Sequence, residues 1–188
     1  MTTEKRTGDW ISTYTGKRFY VFDPRVEDVD VNDIIHALSN LCRFGGHSTN
    51  FYSVAQHSVL VSLMCATEHA LWGLLHDASE AYLIDIPSPL KRAPELAAYR
   101  DAEKKLMNVI CDAFGLQHDE PAEVKVVDKR ILATEARDLT FTAGRGWTTH
   151  AEPYDFNIQP WTPEHARVRF ISRLHELMRD KNGTVSAR

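Results

Sequence analysis

The spacing of apolar residues constrains the fold most, because it follows the helical repeat along most of the 188 residues. This spacing recurs in six segments, which begin near residues 31, 54, 71, 95, 122 and 163. Only residues 10–22 are rich in β-branched and aromatic residues, and their central Thr15-Gly16 pair predicts a short hairpin. The sequence therefore predicts an all-α fold, a compact helical bundle with a short N-terminal β-hairpin.

Length and composition predict one globular domain over residues 1–188, with 43% hydrophobic and 26% charged residues. We expect the hairpin at about 10–22, the helical core at about 30–140, an ordered irregular loop at 143–161 and a C-terminal helix at about 163–180. The net charge is −4, and no dense Lys/Arg stripe is present to neutralise a polymeric nucleic acid. Because no apolar stretch approaches the roughly 20 residues of a membrane span, we expect a cytoplasmic protein without membrane association.

Charged residues interrupt the apolar pattern in residues 73–91, GLLHDASEAYLIDIPSPLK. His76 and Asp77 stand where a core stripe would carry apolar residues, and an unpaired buried charge is strongly destabilising. These side chains should therefore be paired, exposed or bound to a metal. Glu80 follows one turn after His76, on the same face of the predicted helix. By contrast, a second His-Asp pair at residues 118–119 lies just before a proline-initiated helix, where an aspartate has an ordinary capping role.

Two further polar residues interrupt apolar segments on other predicted helices. His57 lies in FYSVAQHSVLV, and Asp128 lies in EVKVVDKRIL. Each alone is more simply explained as a structural residue with a satisfied partner. Together with His76 and Asp77 they form a set of imidazole and carboxylate donors, which hydrolytic divalent metals use while leaving positions open for water and substrate.

The order of these residues and their local settings resemble the HD-domain metal-dependent phosphohydrolase superfamily. The resemblance is closest to its compact branch of 5'-deoxyribonucleotidases and phage dATP triphosphohydrolases. It rests on CRFGGHSTNFYSVAQHS (42–58), LLHDASEAYLIDIPSPLK (74–91) and VDKRIL (127–132), and it spans roughly residues 30–140. It implies that a divalent transition metal, Co, Mn, Zn or Fe, is bound by His57, His76, Asp77 and Asp128. It also leaves open a second divalent ion such as Mg.

The resemblance further implies roles for residues around that metal. Glu80 would orient the attacking water or exchange its proton, and Arg43 would neutralise charge on the phosphoryl oxygens. Asp85 would meet the sugar or the reacting end of the substrate, with an ordinary turn residue as the alternative. Contacts with substrate are also implied for Phe44, His47, Pro89 and Lys91.

Some of these roles have structural alternatives. Phe44 is also explained as a core residue, and Lys91 as a solvated surface residue rather than a ligand of the distal phosphates. Arg43-Phe44 stands where some relatives carry Arg-Trp. The resemblance therefore does not extend to base or sugar preference.

The resemblance implies metal-dependent hydrolysis of a free deoxynucleotide. The leading expectation is a dATP or dNTP triphosphohydrolase that yields a deoxynucleoside and triphosphate. The alternative is a 5'-deoxyribonucleotidase acting on dNMPs. Two readings of other classes are a non-catalytic nucleotide or metal sensor and a helical scaffold with satisfied core histidines. Relatives in this branch assemble as dimers or hexamers, so a homo-oligomer is expected.

Overall fold

The computed structural model describes residues 5–147 and 151–183, with the side chains of the last helix described as far as Arg179. Most of these residues are helical, and the paired strands form one two-stranded antiparallel hairpin near the N-terminus. The prediction of an all-α bundle with a short N-terminal hairpin is confirmed. Among the helices of the described residues, none combines the length and the apolar character that a membrane span requires.

The hairpin joins β1, Ile11–Ser12, to β2, Arg18–Phe19, as the Thr-Gly turn predicted. Gly16 occupies the turn with a φ of 81°, a conformation that glycine adopts without strain. The ring of Phe19 is fully buried and stacks on Tyr82, with 3.8 Å between the ring centroids. This contact packs the hairpin against the helical core.

Capping residues mark the ends of several helices. Asp30 accepts a hydrogen bond from the backbone N–H of Asn32 and caps the first helix, and Ser53 caps the second in the same way. Gly115 ends the longest predicted helix in the left-handed conformation. The helices are α1, Val31–Asn40; α2, Val54–Met64; α3, Thr67–Leu75; α4, Glu80–Leu83; α5, Ser88–Lys91; α6, Ala97–Phe114; α7, Ala122–Leu139; and α8, Pro163–Gly183.

Two helical predictions differ from the structure in detail. The single helix predicted through residues 71–82 is wrong, because residues 76–79 form tight turns that separate α3 from α4. The proline-containing stretch predicted to end this region instead contains the short helix α5. Helix α7, for which the sequence predicts no end point, runs to Leu139 with the small residues Ala133 and Ala136 buried along it.

Helix α2 lies at the centre of the bundle. It packs against α1, α3, α7 and α8, and its residues 54–59, 61 and 62 are all buried. A helix buried on every side must satisfy each polar side chain within the protein. His57 lies in the middle of this helix and is fully buried, so its hydrogen-bond partners must come from the protein itself.

The predicted irregular loop is confirmed over residues 143–147 and 151–161; residues 148–150 lie outside the described part of the chain. Residues 143–147 form backbone turns, and side chains of α2 and α7 bind several backbone groups of residues 151–161. Arg137 donates to the carbonyl of Tyr154 at 2.9 Å, and Asp138 accepts from the N–H of Ile158 at 2.8 Å. Gln56 donates to one loop carbonyl at 2.8 Å and accepts from a loop N–H at 2.7 Å.

Candidate metal centre

Three of the four predicted metal ligands converge from separate helices. The Nε2 atom of His57, on α2, lies 3.2 Å from Nε2 of His76, which follows the end of α3. The same atom lies 3.2 Å from Oδ1 of Asp128 on α7, and Nε2 of His76 lies 3.9 Å from that oxygen. One ligand atom from each residue lies within 4.8 Å of the other two, so this cluster could hold a metal ion.

Asp77 contacts both imidazoles of this cluster. Its Oδ2 lies 3.3 Å from Nε2 of His76 and 3.5 Å from Nε2 of His57. Ligands at about 2.0–2.2 Å from an ion are about 2.8–3.6 Å apart when they occupy adjacent tetrahedral or octahedral positions. Of the five separations given for this group, four fall in that range and the longest is 3.9 Å. The spacing therefore fits His57, His76 and Asp128 as donors to one ion, with Asp77 in contact with both imidazoles.

Hydrogen bonds at the far side of each imidazole direct Nε2 into the cluster. The Nδ1–H of His76 donates to the carbonyl of Gly73 at 2.8 Å, because a carbonyl can only accept. Nδ1 of His57 lies 2.6 Å from Oε1 of Glu135, a fully buried residue of α7. Metal-binding histidines commonly use the second ring nitrogen in this way, since it fixes the tautomer and the ring orientation.

The charges of the cluster favour a bound cation. Burial and the charge of Arg43 lower the pKa of His57, but the carboxylates of Glu135 and Asp128 outweigh them and raise it to about 10. Burial raises the pKa of Asp128, yet its hydrogen bond with His57 and the nearby positive charges hold that pKa well below its usual range. The carboxylates stay ionised, and the site is therefore suited to a positive charge.

Arg43 lies beside the cluster, as predicted. Its guanidinium is mostly buried, with Nη1 3.4 Å from Oδ2 of Asp77 and Nη2 3.1 Å from Oε2 of Glu135. Burial lowers its pKa, but those two carboxylates outweigh burial and keep the guanidinium charged. Its buried Nε has no hydrogen-bond partner among the described residues, which leaves one donor for another group.

Glu80 begins α4 and is 3% exposed. Its Oε1 accepts a hydrogen bond from Nζ of Lys91 at 3.3 Å, whereas its buried Oε2 has no partner within the described part of the chain. Burial raises the pKa of Glu80 well above its ordinary value, and the charges of Asp77 and Asp85 raise it further. Glu80 is therefore a carboxyl group that holds its proton at a higher pH than an exposed glutamate.

Lys91 donates hydrogen bonds to two carboxylates. Besides Glu80, its Nζ donates to Oε1 of Glu103 on α6 at 2.7 Å. Arg100 donates to the backbone carbonyl of Lys91 at 2.7 Å and so fixes the position of α5. The structure thus places Lys91 in an ion-pair network rather than alone at the protein surface.

The other predicted substrate residues lie around this network. Asp85 is partly buried, which raises its pKa, and it follows Ile84, whose φ of 64° is strained for a β-branched residue. Phe44 also has a left-handed backbone, and its ring lies 5.6 Å from the guanidinium carbon of Arg43. His47 and Pro89 are exposed, and their substrate contacts stay predictions.

Two surface cavities lie away from the cluster. One, of about 310 Å³, is lined by the hairpin and by α1, and the other, of about 670 Å³, is lined by α3 and the loop before α7. Neither is lined by a residue of the metal cluster. The cluster is the candidate site, because chemistry depends on convergent donor groups and not on the volume of a groove.

Sequence reasoning missed Glu135 and Glu103. Glu135 lies two turns after Asp128 on the same helix, within LATEARDL, and Glu103 lies within a strongly charged stretch of α6. The weak signal for Glu135 was a carboxylate among small residues that suit a buried helix face. For Glu103 the sequence carried no signal that separates it from its charged neighbours.

The fold and the cluster define the class: a helical protein with a partly buried His/His/Asp site that could hold a metal ion. The chain matches no protein-family model. The uncharacterized protein YfdR of Escherichia coli is 43% identical over 171 residues, which cover 89% of this chain and 95% of that protein. The chain therefore belongs to the same family as YfdR. The uncharacterized protein RCAP_rcc00048 of Rhodobacter capsulatus is 29% identical over 193 residues, or 93% of this chain and 98% of that protein.

Proposed function

We propose that this protein is a metal-dependent phosphohydrolase that acts on free deoxynucleotides. The observation that carries the proposal is the convergence of His57, His76 and Asp128, with Asp77 in contact with both imidazoles. The three motifs that resemble HD-domain phosphohydrolases contain these four residues. They would act together as the ligands of a divalent transition ion, and the mixed nitrogen and oxygen donors suit Co, Mn, Zn or Fe.

A bound divalent ion would polarise a phosphoryl oxygen and lower the pKa of its coordinated water toward about 7. The protein would supply the remaining groups. Arg43 has one buried, uncommitted N–H and a positive charge beside Asp77, so it is suited to bind a phosphoryl oxygen as negative charge grows there. These features favour hydrolysis over a structural or sensor role for the ion.

Glu80 would serve as the proton-transfer group. Its pKa is raised by burial, and one of its oxygens has no partner among the described residues. A carboxyl group with a raised pKa can hold a proton and donate it to the leaving 5'-oxygen. Lys91 would hold Glu80 in place through the 3.3 Å hydrogen bond, with Glu103 fixing the lysine from α6.

A nucleoside triphosphate carries more negative charge than a monophosphate, so the site would need more positive charge to bind it. Hydrolysis of dAMP and release of triphosphate from dATP break the same bond between the 5'-oxygen and phosphorus. Lys91 already contacts two carboxylates. This favours the monophosphate as substrate, because a triphosphate would need further cations to bind its distal phosphate groups. The motif resemblance covers both activities, so dATP triphosphohydrolase is the second candidate.

A substrate panel tests this proposal. Metal-free protein would be reloaded with Co²⁺ or Mn²⁺ and incubated with each dNMP, dNTP and NTP, and the products separated by chromatography. A deoxynucleoside with phosphate supports the first candidate, and a deoxynucleoside with triphosphate supports the second. Metal-loaded protein that hydrolyses none of these nucleotides would contradict the proposal, and tight nucleotide binding without turnover would indicate a sensor.

The homo-oligomeric state, a dimer or a hexamer, and the cytoplasmic location stay predictions. Light scattering after size-exclusion chromatography measures the first. Fractionation of the source cells measures the second.

A further inference from the structure

Glu135 is a fully buried carboxylate that the proposed reaction does not use. A buried charge is destabilising unless it is paired and hydrogen-bonded, so its partners explain why it is tolerated. Oε1 accepts from Nδ1–H of His57 at 2.6 Å and from the hydroxyl of Tyr52 at 2.8 Å. Oε2 accepts from Nη2 of Arg43 at 3.1 Å. One side chain thus contacts both a candidate metal ligand and the candidate phosphate-binding group.

These contacts close a ring around the site. Glu135 links His57 to Arg43, and Asp77 links the same two residues from the opposite side, at 3.5 Å and 3.4 Å. The backbone also contributes, because the N–H of Arg43 donates to the carbonyl of Tyr52 at 2.8 Å. The position of each member therefore depends on its neighbours in the ring.

We propose that Glu135 is a positioning residue that couples the metal site to the phosphate-binding arginine. Through Oε1 it fixes the tautomer of His57 so that Nε2 is free to bind an ion, and through Oε2 it sets the guanidinium of Arg43. This inference rests on the metal site of the proposed function. Carboxylates that accept from a metal-binding imidazole typically change metal affinity by about 10- to 100-fold when they are removed.

The chain offers a matched control on the same helix. Glu123, near the start of α7, lies 2.5 Å from Nδ1 of His69, so α7 carries two His–Glu pairs. The His69–Glu123 pair is about a third exposed, and neither residue belongs to the metal cluster. Glu135→Gln and Glu123→Gln remove the same charge and keep the same shape, but only the first lies behind a candidate ligand.

Cobalt binding provides the direct test. The purified full-length protein and both variants would be titrated with Co²⁺ in competition with a chelating dye, and the visible absorption of the bound Co²⁺ recorded. We expect Glu135→Gln to weaken Co²⁺ binding by about 10- to 100-fold and to change the absorption bands. We expect Glu123→Gln to bind Co²⁺ within about twofold of the wild type, because neither Glu123 nor His69 belongs to the metal cluster. Equal affinity and equal spectra for folded Glu135→Gln and wild type would overturn this part of the inference.

Binding of inorganic phosphate to the Co²⁺-saturated protein tests the contact with Arg43. Glu135→Gln should weaken phosphate binding at saturating Co²⁺, whereas Glu123→Gln should not. If Glu135→Gln does not fold, Glu135→Asp keeps the charge but is too short to hold both partners. It should then bind Co²⁺ roughly tenfold more weakly than the wild type. Unchanged Co²⁺ affinity in that variant would overturn the inference.

The outcomes separate this inference from the proposed function. Wild-type protein that binds Co²⁺ but hydrolyses no nucleotide contradicts the proposed function alone. Wild-type protein that hydrolyses a nucleotide, with Co²⁺ and phosphate affinities unchanged in Glu135→Gln, contradicts the role of Glu135 alone. Wild-type protein that binds no Co²⁺ contradicts both.

Discussion

The protein contains the dipeptide His-Asp twice, in two very different surroundings. At His76-Asp77, the side chains are 6% and 21% exposed, and an imidazole from α2 and a carboxylate from α7 approach within 4 Å. At the second pair, the side chain of His118 is 50% exposed, and its Nε2 contacts Asp112 at the end of α6 at 2.7 Å. The same dipeptide thus contributes both residues to a candidate metal centre in one place, whereas in the other only its histidine contacts a surface carboxylate. The groups that other helices bring to a dipeptide decide its chemistry.

The largest expected effect separates these two pairs directly. His76→Ala removes a candidate metal ligand, so we expect loss of Co²⁺ binding and a fall in nucleotide hydrolysis of about 10³-fold or more, since ligands of one ion act as a unit. His118→Ala provides the control and should retain both properties. Equilibrium dialysis with elemental analysis and initial-rate assays measure these effects. Comparable losses in the two variants would show that the distinction between the sites is wrong.

A second prediction separates metal binding from catalysis at the His76 site. Glu80→Gln should lower kcat by about 10²- to 10⁴-fold, because it removes a proton-transfer group, while Co²⁺ affinity changes little. Burial raises the pKa of Glu80, so its proton is present at low pH and is lost as the pH rises through that raised pKa. The wild-type kcat should therefore fall on the alkaline side. The pH profile of kcat for the two proteins checks this, and an alkaline limb that persists in Glu80→Gln would contradict it.

A third prediction concerns Lys91. It tests whether this residue acts through Glu80 or binds the distal phosphates of the substrate. If Lys91 acts through Glu80, Lys91→Ala should lower kcat about tenfold with dAMP and with dATP alike. If it binds distal phosphates, the KM for dATP should rise while the values for dAMP stay constant. Glu103→Gln leaves the lysine in place but removes one of its partners, so its effect should be smaller and in the same direction. Steady-state kinetics with both nucleotides distinguish these cases.

The smallest effect is expected at the second His-Asp pair. The contact between His118 and Asp112 lies at the surface, where even a charged pair typically contributes less than about 1 kcal/mol to stability. His118→Ala should therefore change the free energy of unfolding by less than that amount. Urea unfolding measures it. A loss of several kcal/mol would mean that this surface pair is a structural element comparable to the buried site.

The sequence contained enough information to predict the helices, the hairpin and the residues that converge. The apolar period predicts which helix faces are buried, and His57 and Asp128 were detectable because polar residues interrupt that period. The break between α3 and α4 was not detectable, since residues 76–79 keep a helical pattern while hydrogen bonds across three residues tighten the turn. The contacts of Lys91 with Glu103 and of His57 with Glu135 could not be predicted either. The two glutamates lie 12 and 78 residues away from their partners, and only tertiary packing brings these pairs together.

The most direct test of the central claim is a crystal structure of the protein with Mn²⁺ or Co²⁺, with diffraction data collected at the absorption edge of the metal. We predict one anomalous peak enclosed by Nε2 of His57 and His76 and by carboxylate oxygens of Asp77 and Asp128, with ligand distances of about 2.0–2.3 Å. A fully metal-loaded protein whose anomalous peak lies elsewhere, with these four side chains bound only to one another or to water, would contradict the account.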